Sequence, residues 1–427
     1  MRDFVQSPAS RRFRTPMILR PIALGGSALL RLTTKALRPP KSPGLRTVDR
    51  MTTDQLSQQL GMTVLTGHPD QKALKPHLQE VAQNWRDHDW GRIGQRLSRL
   101  DRAHAALPSG DRMAPAIGRA LFRHLAGPQV CAMIDRGQSV SPDDLPDALM
   151  APLLRVLQQL QIDPTLHFLT AQFQLEMGWA RHGDDYADFA LDGALTAAEE
   201  HFRAASAILD RIAPRAPHSG YYAELDYRTI AANGTTMDEL NRAALRWSRA
   251  DPASLVPYAT HGLHLLPRWY GEPTSLQDYA DRSWTKTHEK LGAAAYSAIY
   301  LAAIENDLEA ALTLNMQVFR EGLIDMMEEC DDPDLTCNAI LRTLWTISAE
   351  PYTDGGREPK ALRDIRHRMR ALFCDLARTT LGPVMPDVWG GRWTEAKIMH
   401  ALAEAFAAEI AAGKAVAIGL DGAQILD

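Results

Sequence analysis

Residues 237–271 read MDELNRAALRWSRADPASLVPYATHGLHLLPRWYG. Leu240, Ala244 and Trp247 recur at helical spacing, so an apolar stripe runs along one face of an amphipathic helix. Thr236, with Glu239 following it, predicts a capping box at its start. Asp251-Pro252 ends that helix, because the residue before proline avoids helical backbone. A second helix begins at once and stops at Pro267. The stretch predicts a helix–turn–helix unit, and the segments on both sides read as variations on it.

Towards the N-terminus, Leu78, Val81, Ala82 and Trp85 share one face, as do Ile93, Leu97, Leu100 and His104. They predict two helices between Lys75 and His104, parted by a turn at His88 to Arg92. Met113 to Ala126 is a third, ended by Gly127-Pro128. Leu149 to Leu160, Thr165 to Arg181, Leu195 to Ile212 and Tyr221 to Ala232 follow, the last stopped by Asn233-Gly234. Beyond Gly271, helices are predicted over Leu276 to Leu291, Ala293 to Asn306, Leu308 to Glu329, Leu335 to Ala349, Ala361 to Leu381 and Thr394 to Gly413. Strand signals are nearly absent, and the closing AVAIGLDGAQILD reads as irregular. The expected fold class is all-α, built of helical hairpins.

The hairpins recur at roughly 34 to 45 residues, the spacing of helical repeats. Asp251-Pro252 sits at an inter-repeat turn, with Tyr258 and Gly262 at the aromatic and small positions of the next helix. NDLEAAL, Asn306 to Leu312, has the form of a repeat's turn and helix start, and Trp179 and Gly183 fall at comparable places. On these residues the chain resembles the tetratricopeptide repeat over about 165–318, with spacings that drift. The resemblance implies hairpins stacked as a right-handed solenoid with irregular repeats. It also implies a concave groove that binds a protein or peptide.

The expected organisation is a basic, disordered arm over 1–60, a helical subdomain over 70–138, a repeat domain over 149–413 and a tail over 414–427. Ser139 to Asp147, polar and proline-punctuated, is the candidate boundary. The arm is rich in arginine and poor in acids, as transit peptides are. It also suits a tail touching anionic surfaces. Its apolar run, Ile22 to Leu30, is far shorter than the ~20 residues a membrane-spanning helix needs.

Across 427 residues the apolar share is 45%, the charged share 23% and the net charge −5. Those are globular proportions, and no basic field attracts nucleic acid. The 4 cysteines, Cys131, Cys330, Cys337 and Cys374, form no C-x-x-C pair. A zinc knuckle and a disulfide framework are therefore not indicated, and reduced thiols suggest the cytoplasm. No cofactor is expected. Walker A, G-x-G-x-x-G and G-x-S-x-G signatures are missing.

His261 and His264 lie about one helical turn apart, a spacing that suits metal ligation with a third ligand or, more simply, two packed histidines. His182, Asp184, Asp185 and Asp188 offer oxygen-rich cation binding, acid–base work or turn capping, and the run Glu328, Glu329, Asp331, Asp332 and Asp334 reads as a solvated connector, a weak cation site or, at Asp331 or Asp332, a helix cap. Trp269, Tyr270, Trp389 and Trp393 stand in glycine- and proline-containing loops beside Arg268 and Arg392. Tryptophan, tyrosine and arginine concentrate binding energy, and these loops either cap the stack or line a groove. The expected groove comprises Arg246, Arg249, His261, His264, Arg268, Trp269, Tyr270, Trp389, Arg392 and Trp393. The expected function is a protein- or peptide-binding scaffold. The alternative is an α-helical enzyme with its site near His261, His264 and Trp269.

Overall fold

A computed structural model describes residues 43–158, 163–183, 193–216, 218–349 and 358–426. The stretch at 237–271 folds as its sequence predicts. α10 (Met237–Ala250) begins at a reciprocal capping box between Thr236 and Glu239. Asp251 leaves the helical region, and α11 (Val256–His264) follows. Ahead of them lie α1 (Pro43–Val48), α2 (Thr53–Gln59), β1 (Leu60–Met62), α3 (Pro69–Arg86), α4 (Trp90–Arg102), α5 (Met113–Asp135), α6 (Ala151–Leu157), α7 (Pro164–His182), α8 (Ala194–Ile212) and α9 (Gly220–Ala232). Behind them come α12 (Ser275–Leu291), α13 (Ala294–Asn306), α14 (Met316–Glu328), α15 (Pro333–Ala349), α16 (Lys360–Thr379), α17 (Pro386–Trp389), α18 (Glu395–Ala405), α19 (Ala407–Ala411), β2 (Ala415–Gly419) and β3 (Gly422–Leu426).

The fold is predominantly helical, and helices adjacent in sequence pack on one another from α7 to α11 and from α12 to α16. Local punctuation does what its chemistry requires. Gly127, at φ 84°, kinks α5 where Pro128 restarts it. Gly234, at φ 73°, turns the chain after α9, a region open to glycine at no steric cost.

Two long helices expected from apolar spacing are broken. Leu308–Thr313 is a 3-10 turn, and Asn315 caps α14 through the backbone N–H groups of Gln317 and Val318. The NDLEAAL segment therefore starts no α-helix. The last long helix parts at Phe406 into α18 and α19.

The ends differ most from expectation. The closing residues, expected to be irregular, form a β2–β3 antiparallel hairpin. β1 adds to β2 in parallel, with Leu60 opposite Val416 and Met62 opposite Ile418. β1, at 3 residues, is too short for a period-two signal, and it finds its partner more than 350 positions further along the chain. Within the stretch expected to be a disordered arm, residues 43–60 are folded, and the earlier ones lie outside the described residues. Val48, Leu56 and Leu60 are buried in the same core as Trp389, Phe406 and Ile418.

A second large core runs from Val81 to Leu225. The boundary expected at Ser139 to Asp147 passes through it, since Val140, Leu145 and Met150 are buried there. Arg181, 2% exposed, draws this connector onto α7 by donating to the carbonyls of Val140 and Ser141 and to Asp147.

Leu56 is fully buried. Leu56→Ala is expected to lower stability by about 2–5 kcal/mol in urea denaturation, as cavities in cores do. A change within about 0.5 kcal/mol would instead mark the segment as a loosely attached surface element.

Candidate functional site

His261 and His264, expected to line a groove, are core residues at 0% and 2% exposure. Both face the hydroxyl of Tyr227 on α9, at 3.0 and 2.9 Å. His261 Nε2 lies 2.9 Å from Asn241 Oδ1, and His264 Nδ1 lies 3.0 Å from the Thr260 carbonyl. A carbonyl only accepts, so His264 carries its proton on Nδ1. It donates to Thr260 and the Tyr227 oxygen. Tyr227 then donates to His261 Nδ1, and His261 Nε2–H donates to Asn241. The proton placement follows from satisfying every partner at once. Burial pushes His261 down to about 3, with His264 adding to the effect, and burial pushes His264 down to about 4. Both imidazoles are neutral at physiological pH, and burial drives the Tyr227 phenol well above its usual range.

Rings enclose this relay. Tyr279 meets His261 edge-on at 4.6 Å, Trp247 lies 5.5 Å from Tyr227, and Trp269 and Tyr270 lie 6.3 and 6.1 Å from His264. Tyr270 donates to the Ala231 carbonyl at 2.7 Å. Arg268 donates to the Asn306 carbonyl. Arg246 reaches back to Asp226 at 2.6 Å, and Arg249 is exposed.

Trp389, Arg392 and Trp393 form a separate group. Trp389 is fully buried and donates to Asn338 Oδ1 at 2.9 Å. Trp393 meets it edge-on at 5.4 Å, and Arg392 donates to Thr346 at 3.3 Å. Packing runs from α11 to α13, from α13 to α15 and from α15 to α17, so this group has different neighbours from His261 and His264. Of these loop aromatics Trp389 is enclosed in the core, while Trp269, Tyr270 and Trp393 are half-buried.

The other clusters hold their own backbone. Asp332 caps α15 through the N–H of Leu335 at 2.9 Å. His182 is buried against the Gly183 carbonyl at 2.8 Å, while Asp184, Asp185 and Asp188 lie outside the described residues. Among the described residues, no group of three His, Cys, Asp or Glu side chains is arranged to hold a metal ion.

A small cleft, partly open to solvent, lies beside the relay. Asp111, Arg112, Arg119, Glu224, Arg228 and Asp251 line it, with Trp247 and Thr260. Arg112 holds Asp251 by two hydrogen bonds, Nε to Oδ2 at 2.6 Å and Nη2 to Oδ1 at 2.5 Å. Arg119 meets Glu224 at 2.9 Å and Asp111 at 3.8 Å. Arg228 meets Glu176 at 2.9 Å and Glu224 at 3.7 Å. The charges thus alternate along a ladder: Glu176, Arg228, Glu224, Arg119, Asp111. Burial works against the Arg119 charge, yet Glu224, Asp111 and Glu176 raise its pKa overall. Partial burial raises the Asp111 carboxyl.

The relay braces this wall from behind. Tyr227 and Arg228 are neighbours on α9, and Trp247 touches both the relay and the cleft. These residues form no motif in the sequence because the ladder joins helices far apart in the chain. One local signal was present: Glu224 and Arg228, one turn apart, face the same way on a helix otherwise rich in apolar and aromatic residues.

Comparison with protein-family models, with curated proteins and with solved structures gives no match for this chain.

The two histidines set a pH dependence. Their folded values, about 3 and about 4, lie below the ordinary 6.5, so the unfolded chain takes up protons first as pH falls. Their contribution is complete above pH 6.5 and declines towards pH 5 by about 1.4 kcal/mol per unit for each. Urea titrations between pH 7.5 and 5 are expected to show that slope, and His264→Gln is expected to reduce it by about half. Tyr227→Phe removes the donor to His261 Nδ1 and is expected to cost about 1–3 kcal/mol at pH 7.5.

Proposed function

We propose that this chain is a helical binding protein that takes a protein or peptide segment, and that the segment engages the charged cleft rather than the histidine pair. One observation carries the reading. Arg228 is 4% exposed, lines a solvent-open cleft, and keeps Nε and Nη1 without a hydrogen-bond partner among the described residues. Buried ion pairs seldom stabilise a fold better than apolar packing of the same volume, so a ladder of this length points to recognition.

The sequential packing of neighbouring helices supports a stacked-hairpin arrangement of tetratricopeptide type. No described helix is long and apolar enough to cross a membrane. The four cysteines form no disulfide, which suits a reducing compartment such as the cytoplasm. A net charge of −5 disfavours nucleic acid as the partner. An enzyme centred on His261, His264 and Trp269 is the less favoured reading, because both imidazoles are enclosed and neutral.

Panning a displayed random-peptide library on the folded protein tests the proposal. An enriched sequence with micromolar affinity is expected. Glu224→Gln and Arg119→Lys should each weaken it about tenfold, a difference of about 1.4 kcal/mol, with the circular dichroism unchanged. Failure to enrich any sequence, or affinity indifferent to both substitutions, rejects it.

A further inference from the structure

The turn between α9 and α10 contains Asn233-Gly234, the chain's one Asn-Gly pair. Asn233 caps α9, and Gly234 follows it at φ 73°. The Asn233 carboxamide donates through Nδ2 to two carbonyls, that of Thr229 on its own helix at 2.9 Å and that of Phe202 on α8 at 3.1 Å. One side chain therefore clasps α9 to α8. The residue is nonetheless exposed, so water reaches it.

Asparagine is a chemically labile residue, and a following glycine supplies the reagent. Glycine has no side chain to shield its main-chain nitrogen or to restrain the turn that brings it onto the preceding side chain. When solvent base takes the Gly234 N–H proton, that nitrogen can attack the Asn233 Cγ. A bond from Gly234 N to Cγ forms, the bond from Cγ to Nδ2 breaks, and Nδ2 leaves as ammonia with a proton drawn from water. Water then opens the five-membered imide at either carbonyl, leaving aspartate or isoaspartate. The net change is water taken up and ammonia released.

The folded geometry opposes the first step. Ring closure needs the Gly234 nitrogen beside the Asn233 Cβ. At ψ −3° it instead eclipses the Asn233 nitrogen. The carboxamide is also tied back to Thr229 and Phe202, so it swings forward only when both hydrogen bonds break. The imide and the clasp exclude each other.

We infer that Asn233-Gly234 is a self-modification site, closed in the folded chain and opened by fraying of the last turn of α9, at which deamidation undoes the clasp irreversibly. The product carboxylate has no N–H to give and faces the same two carbonyl oxygens. It also lies at the C-terminal end of α9, where the helix dipole disfavours negative charge. Isoaspartate lengthens the main chain ahead of Thr236 and displaces the capping box that starts α10. The end of α9, the helix that carries Tyr227 and Arg228, loses a restraint in either product.

The test follows the Asn233 peptide of the full chain by mass spectrometric mapping, with both products resolved by chromatography. Incubation is in mildly alkaline buffer, with and without enough guanidinium chloride to unfold the chain. Conversion is expected to be at least about tenfold faster in the unfolded chain, a ratio that reports the free energy of opening as hydrogen exchange does. Asn233→Asp, which is one of the two products, is expected to raise the unfolding constant about tenfold. Equal rates in the two conditions overturn the gating. No conversion at Asn233 in either condition overturns the site. An Asn233→Asp variant as stable as the parent overturns the clasp. Should that variant fail to fold, the ratio of rates on the unaltered chain still decides.

Discussion

The pairing of Arg112 with Asp251 ties the turn after α10 to the start of α5. Asp251 is 1% exposed, and both of its oxygens are engaged by one guanidinium that starts α5. The same arginine donates to the carbonyl of His104 at 2.6 Å, so it also fixes the chain between α4 and α5. A carboxylate removed from water to this degree is tolerated only when its partner is placed with good geometry. The turn between α10 and α11 is thereby tied to the core that contains Phe122 and Phe173. Arg112 and Asp251 line the same cleft as Arg119, Glu224 and Arg228.

The relay and the ladder are two solutions to one problem, polar groups inside a helical core. In the relay, every proton has an acceptor and both imidazoles stay neutral, so the cost of burial is met by hydrogen bonds. In the ladder, charges remain charged and compensate one another. The relay has no open donor. The ladder has two, on Arg228. That difference in hydrogen-bond satisfaction distinguishes the two networks more clearly than residue type does, since histidine is the residue one first suspects of function.

Much of the helical content was legible from local chemistry. The Thr236–Glu239 box, the Asp251-Pro252 stop and the Gly127 kink each depend on neighbours within one turn of chain. What was not legible depends on partners distant in sequence. Nothing near Leu60 announces Val416 as its neighbour, and nothing near Arg119 announces Glu224. The candidate site illustrates the same limit. His261, His264, Trp269 and Trp389 were conspicuous by type, and the fold uses His261, His264 and Trp389 to fill its core and half-buries Trp269 against it. The lining of the cleft was inconspicuous, because arginine and glutamate one turn apart on a helix usually mark a solvated face.

The β1–β2 pairing also sets an order of events. Leu60 and Val416 belong to the same sheet, so during synthesis the earlier strand waits for nearly the whole chain to emerge before it can pair. Val48 and Leu56 wait with it, because the elements that cover them are among the last to be made. The core from Val81 to Leu225 has no such delay and can close while the ribosome is still adding α10. Contacts between early and late segments raise the loop-closure cost of the final step and slow it. The core from Val81 to Leu225 can therefore close before the pairing of Leu60 with Val416.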